Sequence, residues 1–325
     1  MSGPPATPAP GSSSSIGTSG TLRWEGKSLA EQLYARTRSR VESIQKHARG
    51  RPLLASVAVG EGGPFNVYQR QQGKMAERAG IEFSATLLPE DVTQHDLEAK
   101  IRALASDPSV SGVILQHPLP GSLDFLRAIS LLPAAMDVDG VGSENLGRLA
   151  AHRPVQVPAV AQASRDLLLH YQVRPEGRRV VVVGRSETVG IPTALLLLLR
   201  GPEGDATVTV AHSRSKDLDS ILRTGEIVIS CVGRPGLLRR SNIAQGAFVV
   251  DVGLSTTPDP SRPTGVRMEG DADARDLEGW AGAITPVPGG VGPVTVADLM
   301  GNCARAYELL GEDRVRERAK DGGAR

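Results

Sequence analysis

The chain has 325 residues, 40% of them apolar and 22% charged, with a formal net charge of +1. That length is long for one core and natural for two domains. The near-neutral balance gives no electrostatic case for nucleic acid or an anionic membrane, and an aromatic content of 3% argues against a stacking platform for single strands.

In chain order, the opening stretch MSGPPATPAPGSSSSIGTSGT is rich in Pro, Gly, Ser and Thr. It lacks the basic and apolar regions of a secretory signal. It also lacks the means to build a core, so residues 1–20 read as a disordered tail. Residues 27–48 place Leu29, Leu33, Val41 and Ile44 at helical spacing. LLASVAVG at 53–60 reads as a buried strand, followed by a helix at about 66–79. IEFSATLL is the next strand, about 93–106 the next helix, and VSGVILQHPLP a strand plus loop. Alternating strands and helices predict a parallel α/β sheet.

The second half repeats the style. RRVVVVGRSETVGIPTALLLLLR is a strand, a glycine turn and a helix. ATVTVAHS, IVISCVG and AFVVDVGL follow as strands, each ending in a loop. This predicts a doubly wound domain at 157–290, with ligands at the carboxyl ends of the strands. STTPDPSRPTG at 255–265 reads as a Pro-rich surface loop. From 291, VGPVTVADLMGNCARAYELL is a helix expected to return to the first domain. The expected division is therefore a tail at 1–20, a first domain at 21–156 plus 291–314, a second at 157–290, and a polar tail at 315–325. The longest apolar run, ALLLLL at 194–199, is too short for a membrane span. Nothing marks export, so the expected location is cytoplasmic. Cys231 and Cys303 have no metal-ligand spacing and read as free thiols of a reducing compartment; no metal is expected.

Several stretches carry possible chemistry. In VVVGRSETVGIP, Gly184 permits close backbone approach, and the amides opening the next helix are placed to hold a phosphate. A strand–helix turn without a ligand remains the alternative, because only Gly184 and Gly190 match a dinucleotide fingerprint. Arg185 and Arg214 follow the ends of adjacent strands, where a guanidinium meets a ribose phosphate bidentately. The loop AHSRS has no acidic residue of the kind an NAD ribose favours, which tilts the reading to NADP. Arg214 as a plain solvated charge stays open. TPVPGGVGPVTVADL combines rigid prolines with glycines that admit a flat ligand, or else forms a plain interdomain turn. Gln116 and Asp139 are polar groups suited to orient a heterocycle. His117 is more simply a packed or solvated ring than a base. Asp137 and Asp139, two residues apart, fall on opposite faces of an extended chain and make a poor carboxylate pair.

Together these stretches resemble the methylenetetrahydrofolate dehydrogenase/cyclohydrolase family over about 22–312. GVILQHPLP, DVDGVGSENLGRL, VVVGRSETVGIP, VTVAHSRS, VGRPG, VVDVGL and TPVPGGVGPVTVADLMGN occur in the family's order. The resemblance implies an N-terminal α/β folate-binding domain and a C-terminal Rossmann-like NADP-binding domain, usually in a homodimer. It implies oxidation of methylenetetrahydrofolate to the methenyl form and, in most members, hydrolysis to formyltetrahydrofolate. Carried over by motif, Tyr68 stacks on the folate's aminobenzoyl ring and Gln116 lies beside the reacting carbon. Asp139 holds the pterin edge, and Pro288, Gly289 and Gly290 line the folate side. Gly184, Arg185, Ser186, Ser213 and Arg214 lie at the NADP positions, and Leu254 at a contact to the nicotinamide end.

The chain departs from the family's pattern at three places. Four residues after Tyr68 the family has a catalytic lysine, and here stands Gln72. Lys74 matches a second basic position, turned about 200° around a helix. PFN (64–66) replaces the family's Ala-Ser, and VPAVAQA (157–163) keeps only Pro158 of a Pro-Cys-Thr-Pro-x-Gly motif. Hydride transfer releases no proton and needs chiefly positioned ligands, whereas hydrolysis of the methenyl cation needs proton shuttling. Gln72 exchanges no proton near neutral pH. The expectation is a dehydrogenase with weak or lost cyclohydrolase activity. A fully bifunctional enzyme and a non-catalytic folate- or NADP-binding paralogue are the alternatives.

Overall fold

The chain enters a sheet that belongs mostly to its own second half. The computed structural model describes residues 20–45, 50–60, 64–261 and 265–322, except for the side chains of 64–68 and 312–322. Nineteen of the twenty residues expected to form the tail, 1–19, lie outside the described residues. β1 (Leu22–Arg23) runs parallel to residues 283–284. The buried Trp24 stacks on Tyr171 and Phe248, ring centroids 5.0 and 5.2 Å away. Thr21 Oγ lies 2.9 Å from the carbonyls of Leu277 and Ala281. Residues 21–24, expected in the first domain, therefore pair with the second. A two-residue strand is too short to leave a periodic signal.

Then follow α1 (Lys27–Gln45), β2 (Leu53–Val59), α2 (Pro64–Arg78), β3 (Glu82–Leu88), α3 (Gln94–Ser106), β4 (Val110–Leu115), α4 (Phe125–Ile129) and α5 (Ser143–Ala150). The three strands make a parallel sheet in the order β3-β2-β4. β2 is central and buried on both faces, which is why it reads as one apolar run. Its alternate residues serve two cores. Leu54 packs with α1, Ala76, Ala79 and the last helix. Ala55, Val57 and Val59 pack with Leu97 and Ile101 of α3. Ser56 has the parity of Leu54 and so faces the side covered by α2. Thr93 caps α3 by accepting from Asp96 N at 3.1 Å, and Asp124 caps α4 by accepting from Arg127 N at 2.9 Å.

The second half supplies α6 (Ala159–His170), β5 (Arg179–Val183), α7 (Gly190–Leu197), β6 (Thr207–Ala211), α8 (Leu218–Arg223), β7 (Ile227–Ser230), β8 (Phe248–Asp251), β9 (Ser255–Pro258), β10 (Val266–Glu269), β11 (Ala283–Ile284) and α9 (Val291–Gly322). Its sheet is ordered β1-β11-β8-β7-β5-β6, and every pairing is parallel. The Pro-rich stretch expected to be a surface loop instead opens with β9, which pairs antiparallel with β10. Its prolines sit at and beyond the strand's end, where no ladder donor is needed; residues 262–264 lie outside the described residues.

α9 spans both halves. Val291 and Val294 pack with Val250 and Ala283 of the second sheet, while Met300, Cys303 and Ala304 pack with Leu54 and Ile114 of the first. The helix continues through Gly322, past residue 314 where a polar tail was expected; residues 323–325 lie outside the described residues. Cys231 and Cys303 are free, and burial pushes both thiols up to about 12. Among the described residues no helix is long and apolar enough to cross a membrane.

Candidate active site

Helix α2 sets Gln69 and Gln72 about one turn apart on the face that meets β2. Both side chains are buried, at 5% and 3% exposure. Gln116, at the end of β4, is 6% exposed. Its Nε2 donates to Gln72 Oε1 at 2.8 Å and to Ser56 Oγ at 2.9 Å. Gln69 Nε2 also donates to Ser56 Oγ, at 3.2 Å. The residue four after Tyr68 thus points inward to Gln116, and Lys74 is exposed on another face of the helix. The backbone of Tyr68 lies in α2, and its side chain is outside the described residues. The His117 ring meets the Phe125 ring edge-on at 5.1 Å, a packing contact.

Asp139 lies two residues beyond a bridge to β4. The segment after Pro133 runs parallel to β4, with a bridge between Val113 and Asp137 and a Val113 N to Met136 O bond of 2.8 Å. The chain then turns, Gly140 N donating to Asp137 O at 3.0 Å, and Asp139 O accepts from Ala159 N at 3.2 Å, against the start of α6. Asp137 turns into the loop and accepts from Gly140 N at 3.0 Å, Gly142 N at 2.8 Å and Asn145 Nδ2 at 2.9 Å. Asp139 is half-buried, and its carboxylate has no hydrogen-bond partner among the described residues. Burial, and then the charge of Asp137, push its carboxyl up to about 7. The two carboxylates differ in their surroundings: that of Asp137 closes the loop, and that of Asp139 bonds to no described residue.

The second sheet collects the expected cofactor residues at its strand ends. Gly184 has φ +124°, and a Cβ there would lie 2.5 Å from Cys231 Sγ. A Cβ on Gly190 would lie 2.3 Å from Gly184 O. The turn between β5 and α7 is therefore open only to glycine at both positions. Gly184 N donates to Ala211 O at 2.8 Å and draws this turn against the end of β6. Arg185, Ser186, Ser213 and Arg214 are all exposed there, with backbone N of Arg214 donating to His212 Nδ1 at 3.2 Å. Leu254, after β8, is 56% exposed. A glycine cradle flanked by two free-standing guanidinium groups fits a phosphorylated dinucleotide.

Several residues that build the site leave weaker marks in the sequence. Asp251 ends β8 and accepts from backbone N of Gly253, Asp271 and Ala272 at 3.0, 3.0 and 2.8 Å. Asp271 accepts from Ser230 Oγ at 2.6 Å and Val232 N at 3.0 Å, and also from Arg234 N. These carboxylates hold the loops after β7 and β8. Asp251 and Ser56 share a legible sign, a polar residue in an apolar strand. Pro288, Gly289 and Gly290 lie between β11 and α9, where Gly26 N donates to Gly289 O at 2.9 Å. Among the described residues they share no hydrogen bond with the glutamine cluster. VPAVAQA contributes the start of α6, where Ala159, Ala161 and Ala163 are buried. A groove of about 970 Å³ lined by Arg23, Met268, Arg275 and Pro288 touches the 286–290 loop but none of the glutamines.

The raised carboxyl of Asp139 sets a stability prediction. Its folded value, about 7, exceeds the ordinary 3.8, so folding is favoured below the ordinary value and that contribution is lost as pH rises through 7. Three units bound the effect at about 4 kcal/mol, and solvent reaching the half-buried group reduces it to about 1–2 kcal/mol. Asp139→Asn is expected to be more stable than the native protein at pH 8, with the gap closing toward pH 4. Denaturant titrations across that range check it; a gap independent of pH would contradict it.

Comparison with known proteins agrees with this geometry. Residues 24–139 match the family model for the tetrahydrofolate dehydrogenase/cyclohydrolase catalytic domain, and residues 158–310 match its NAD(P)-binding domain. The chain is 38% identical to "Bifunctional protein FolD" of Bacteroides fragilis over 278 residues, 86% of this chain and 95% of that one. It superposes with a TM-score of 0.83 and 34% identity on the Trypanosoma brucei methylenetetrahydrofolate dehydrogenase-cyclohydrolase complexed with NADP and inhibitor, covering 90% of this chain and 98% of that one. A methylenetetrahydrofolate dehydrogenase from the silkworm Bombyx mori gives a TM-score of 0.82 and 32% identity, with 90% and 99% covered. With both of its domains matched in order, the chain belongs to the tetrahydrofolate dehydrogenase/cyclohydrolase family.

Proposed function

We propose that this chain oxidises methylenetetrahydrofolate with NADP, and that its cyclohydrolase step is weak. The supporting observation is the buried Gln116–Gln72 pair, 2.8 Å apart, just past the end of β4. Asp139, whose carboxylate bonds to no described residue, is placed to accept N–H groups from the pterin edge. Gln116 contacts the reacting carbon, Tyr68 supplies an aromatic face, and Pro288, Gly289 and Gly290 close the folate side. Gly184, Arg185, Ser186, Ser213, Arg214 and Leu254 hold the dinucleotide. NADP, when bound, supplies the hydride acceptor. Loss of the hydride leaves a cation delocalised over two folate nitrogens and releases no proton, so two neutral amides suffice beside it. Attack of water on that cation does require proton movement, and neither Gln72 nor Gln116 exchanges a proton near neutral pH.

Full bifunctionality is the second reading, and the relatives favour it: the Bacteroides fragilis protein is named bifunctional, and the Trypanosoma brucei one a dehydrogenase-cyclohydrolase. The buried, neutral Gln72 favours the first reading. Purified protein given methylenetetrahydrofolate and NADP should reduce the cofactor and accumulate the methenyl species. General acid–base catalysis is typically worth about 10²–10⁴-fold, so onward hydrolysis should barely exceed the uncatalysed rate. Gln72→Lys should restore hydrolysis in part, because the ammonium needs Gln116 to turn its Oε1 inward. Lys74→Ala should leave hydride transfer within about twofold, as for an exposed side chain away from the cluster. A native cyclohydrolase activity abolished by Lys74→Ala would establish the bifunctional reading instead, and ligand binding without turnover would favour the non-catalytic one.

Arg185 and Arg214 support NADP over NAD. Arg185→Ala should weaken NADP by about tenfold or more, the worth of a charge-assisted bidentate contact, and leave NAD nearly unchanged. Equal affinity of the native protein for both cofactors, by calorimetry, would rule the preference out. The homodimer implied by the family resemblance belongs to the same proposal; elution as a monomer at micromolar concentration would contradict it.

A further inference from the structure

Ser56 is the polar residue of an otherwise apolar strand, Leu-Leu-Ala-Ser-Val-Ala-Val. It is fully buried. A hydroxyl there is costly unless it is hydrogen-bonded. Two amides from different elements meet it: Gln69 from α2 at 3.2 Å and Gln116 from the end of β4 at 2.9 Å. In both bonds the amide nitrogen donates and the serine oxygen accepts. The remaining Nε2 hydrogen of Gln116 goes to Gln72 Oε1. A primary amide has two N–H donors and one carbonyl oxygen. Both donors of Gln116 are therefore held inside the protein. Its Oε1 takes no hydrogen bond from a described residue.

We infer that Ser56 is a positioning residue for hydride transfer: by holding Gln116 Nε2 it fixes the amide with its carbonyl oxygen toward the reacting folate carbon. The inference rests on the dehydrogenase reading above. When the C–H bond breaks, its electron pair leaves with the hydride and positive charge remains on the N–C–N unit of the folate. A carbonyl dipole already aimed at that charge stabilises it without reorganisation, and a reversed amide opposes it. Gln72 alone does not fix the orientation, because two facing amides exchange donor and acceptor roles together and keep their bond. Ser56 supplies a second oxygen on the Gln116 nitrogen from the rigid central strand. Gln69, bonded to the same oxygen, holds the hydroxyl in place.

The test is a double-mutant cycle between Ser56→Ala and Gln116→Ala. The readouts are kcat and KM for each ligand, the isotope effect of a deuterated methylene carbon, and thermal stability. Ser56→Ala should lower kcat about tenfold, the scale of a misplaced catalytic contact, with the NADP KM unchanged. In the Gln116→Ala background the same change should alter kcat by less than about twofold. Ser56→Thr, which keeps the oxygen, should recover most of the native rate. An unchanged kcat in Ser56→Ala, or the same loss in both backgrounds, overturns the inference, because a purely structural serine acts independently of Gln116. Should Ser56→Ala fail to fold, Ser56→Cys keeps the volume with a weaker acceptor and carries the same cycle. Absence of turnover by the native protein sinks the dehydrogenase reading first. The cycle is then read in methenyltetrahydrofolate affinity by calorimetry, where missing coupling overturns the Ser56 role on its own.

Discussion

The side-chain amide of Asn302 donates to the carbonyls of Val138 and Val157, each at 2.9 Å. One carbonyl immediately precedes Asp139, and the other lies two residues before the start of α6. A single residue of the long last helix thus fixes the ligand-facing loop against the entry to the second half. Gln156 reinforces it by donating from Nε2 to Asn302 O at 3.0 Å and Ala135 O at 2.8 Å. Its backbone N donates to Asn145 Oδ1 at 3.1 Å, and Asn145 in turn donates to Asp137. Asn302, Gln156, Asn145 and Asp137 are all buried, so each lost partner costs about 1–3 kcal/mol. Among the described residues, Gln156 Oε1 is the one buried side-chain atom of this set without a partner. A network so nearly closed has few alternative arrangements, and it holds Asp139 in place without touching its carboxylate.

The carboxylates divide by how they are used. Asp137, Asp251 and Asp271 spend their oxygens on backbone N–H groups and side-chain donors, and so shape the loops after the strands. Asp139 spends none on the described protein. Its raised carboxyl is a cost to the free protein, of the kind stored where a ligand will later supply the partner. Gln72 illustrates the opposite economy. A neutral amide at 3% exposure avoids the desolvation that a buried ammonium would incur.

Much of the fold was legible as periodicity. β2, β4, β5, β7 and β8 are parallel strands buried on both faces, and such strands read as continuous apolar runs. The glycines at 184 and 190 marked a turn where backbone comes close, and a Cβ at either position would collide. Less legible were β1, two residues long, and the β9–β10 ribbon, whose prolines mask a strand.

The sequence by itself determined the order of strands and helices, the glycine turn with its arginines, and the residue type four places after Tyr68. These are properties of near neighbours along the chain, and side-chain period and backbone freedom express them locally. Tertiary structure alone decided that Ser56, Gln69, Gln72 and Gln116 form one buried cluster, and that Asn302, 163 residues beyond Asp139, anchors its loop. Hydrogen bonds between distant segments depend on which donors and acceptors are buried together. Burial of that kind is a property of packed layers, and no local pattern carries it.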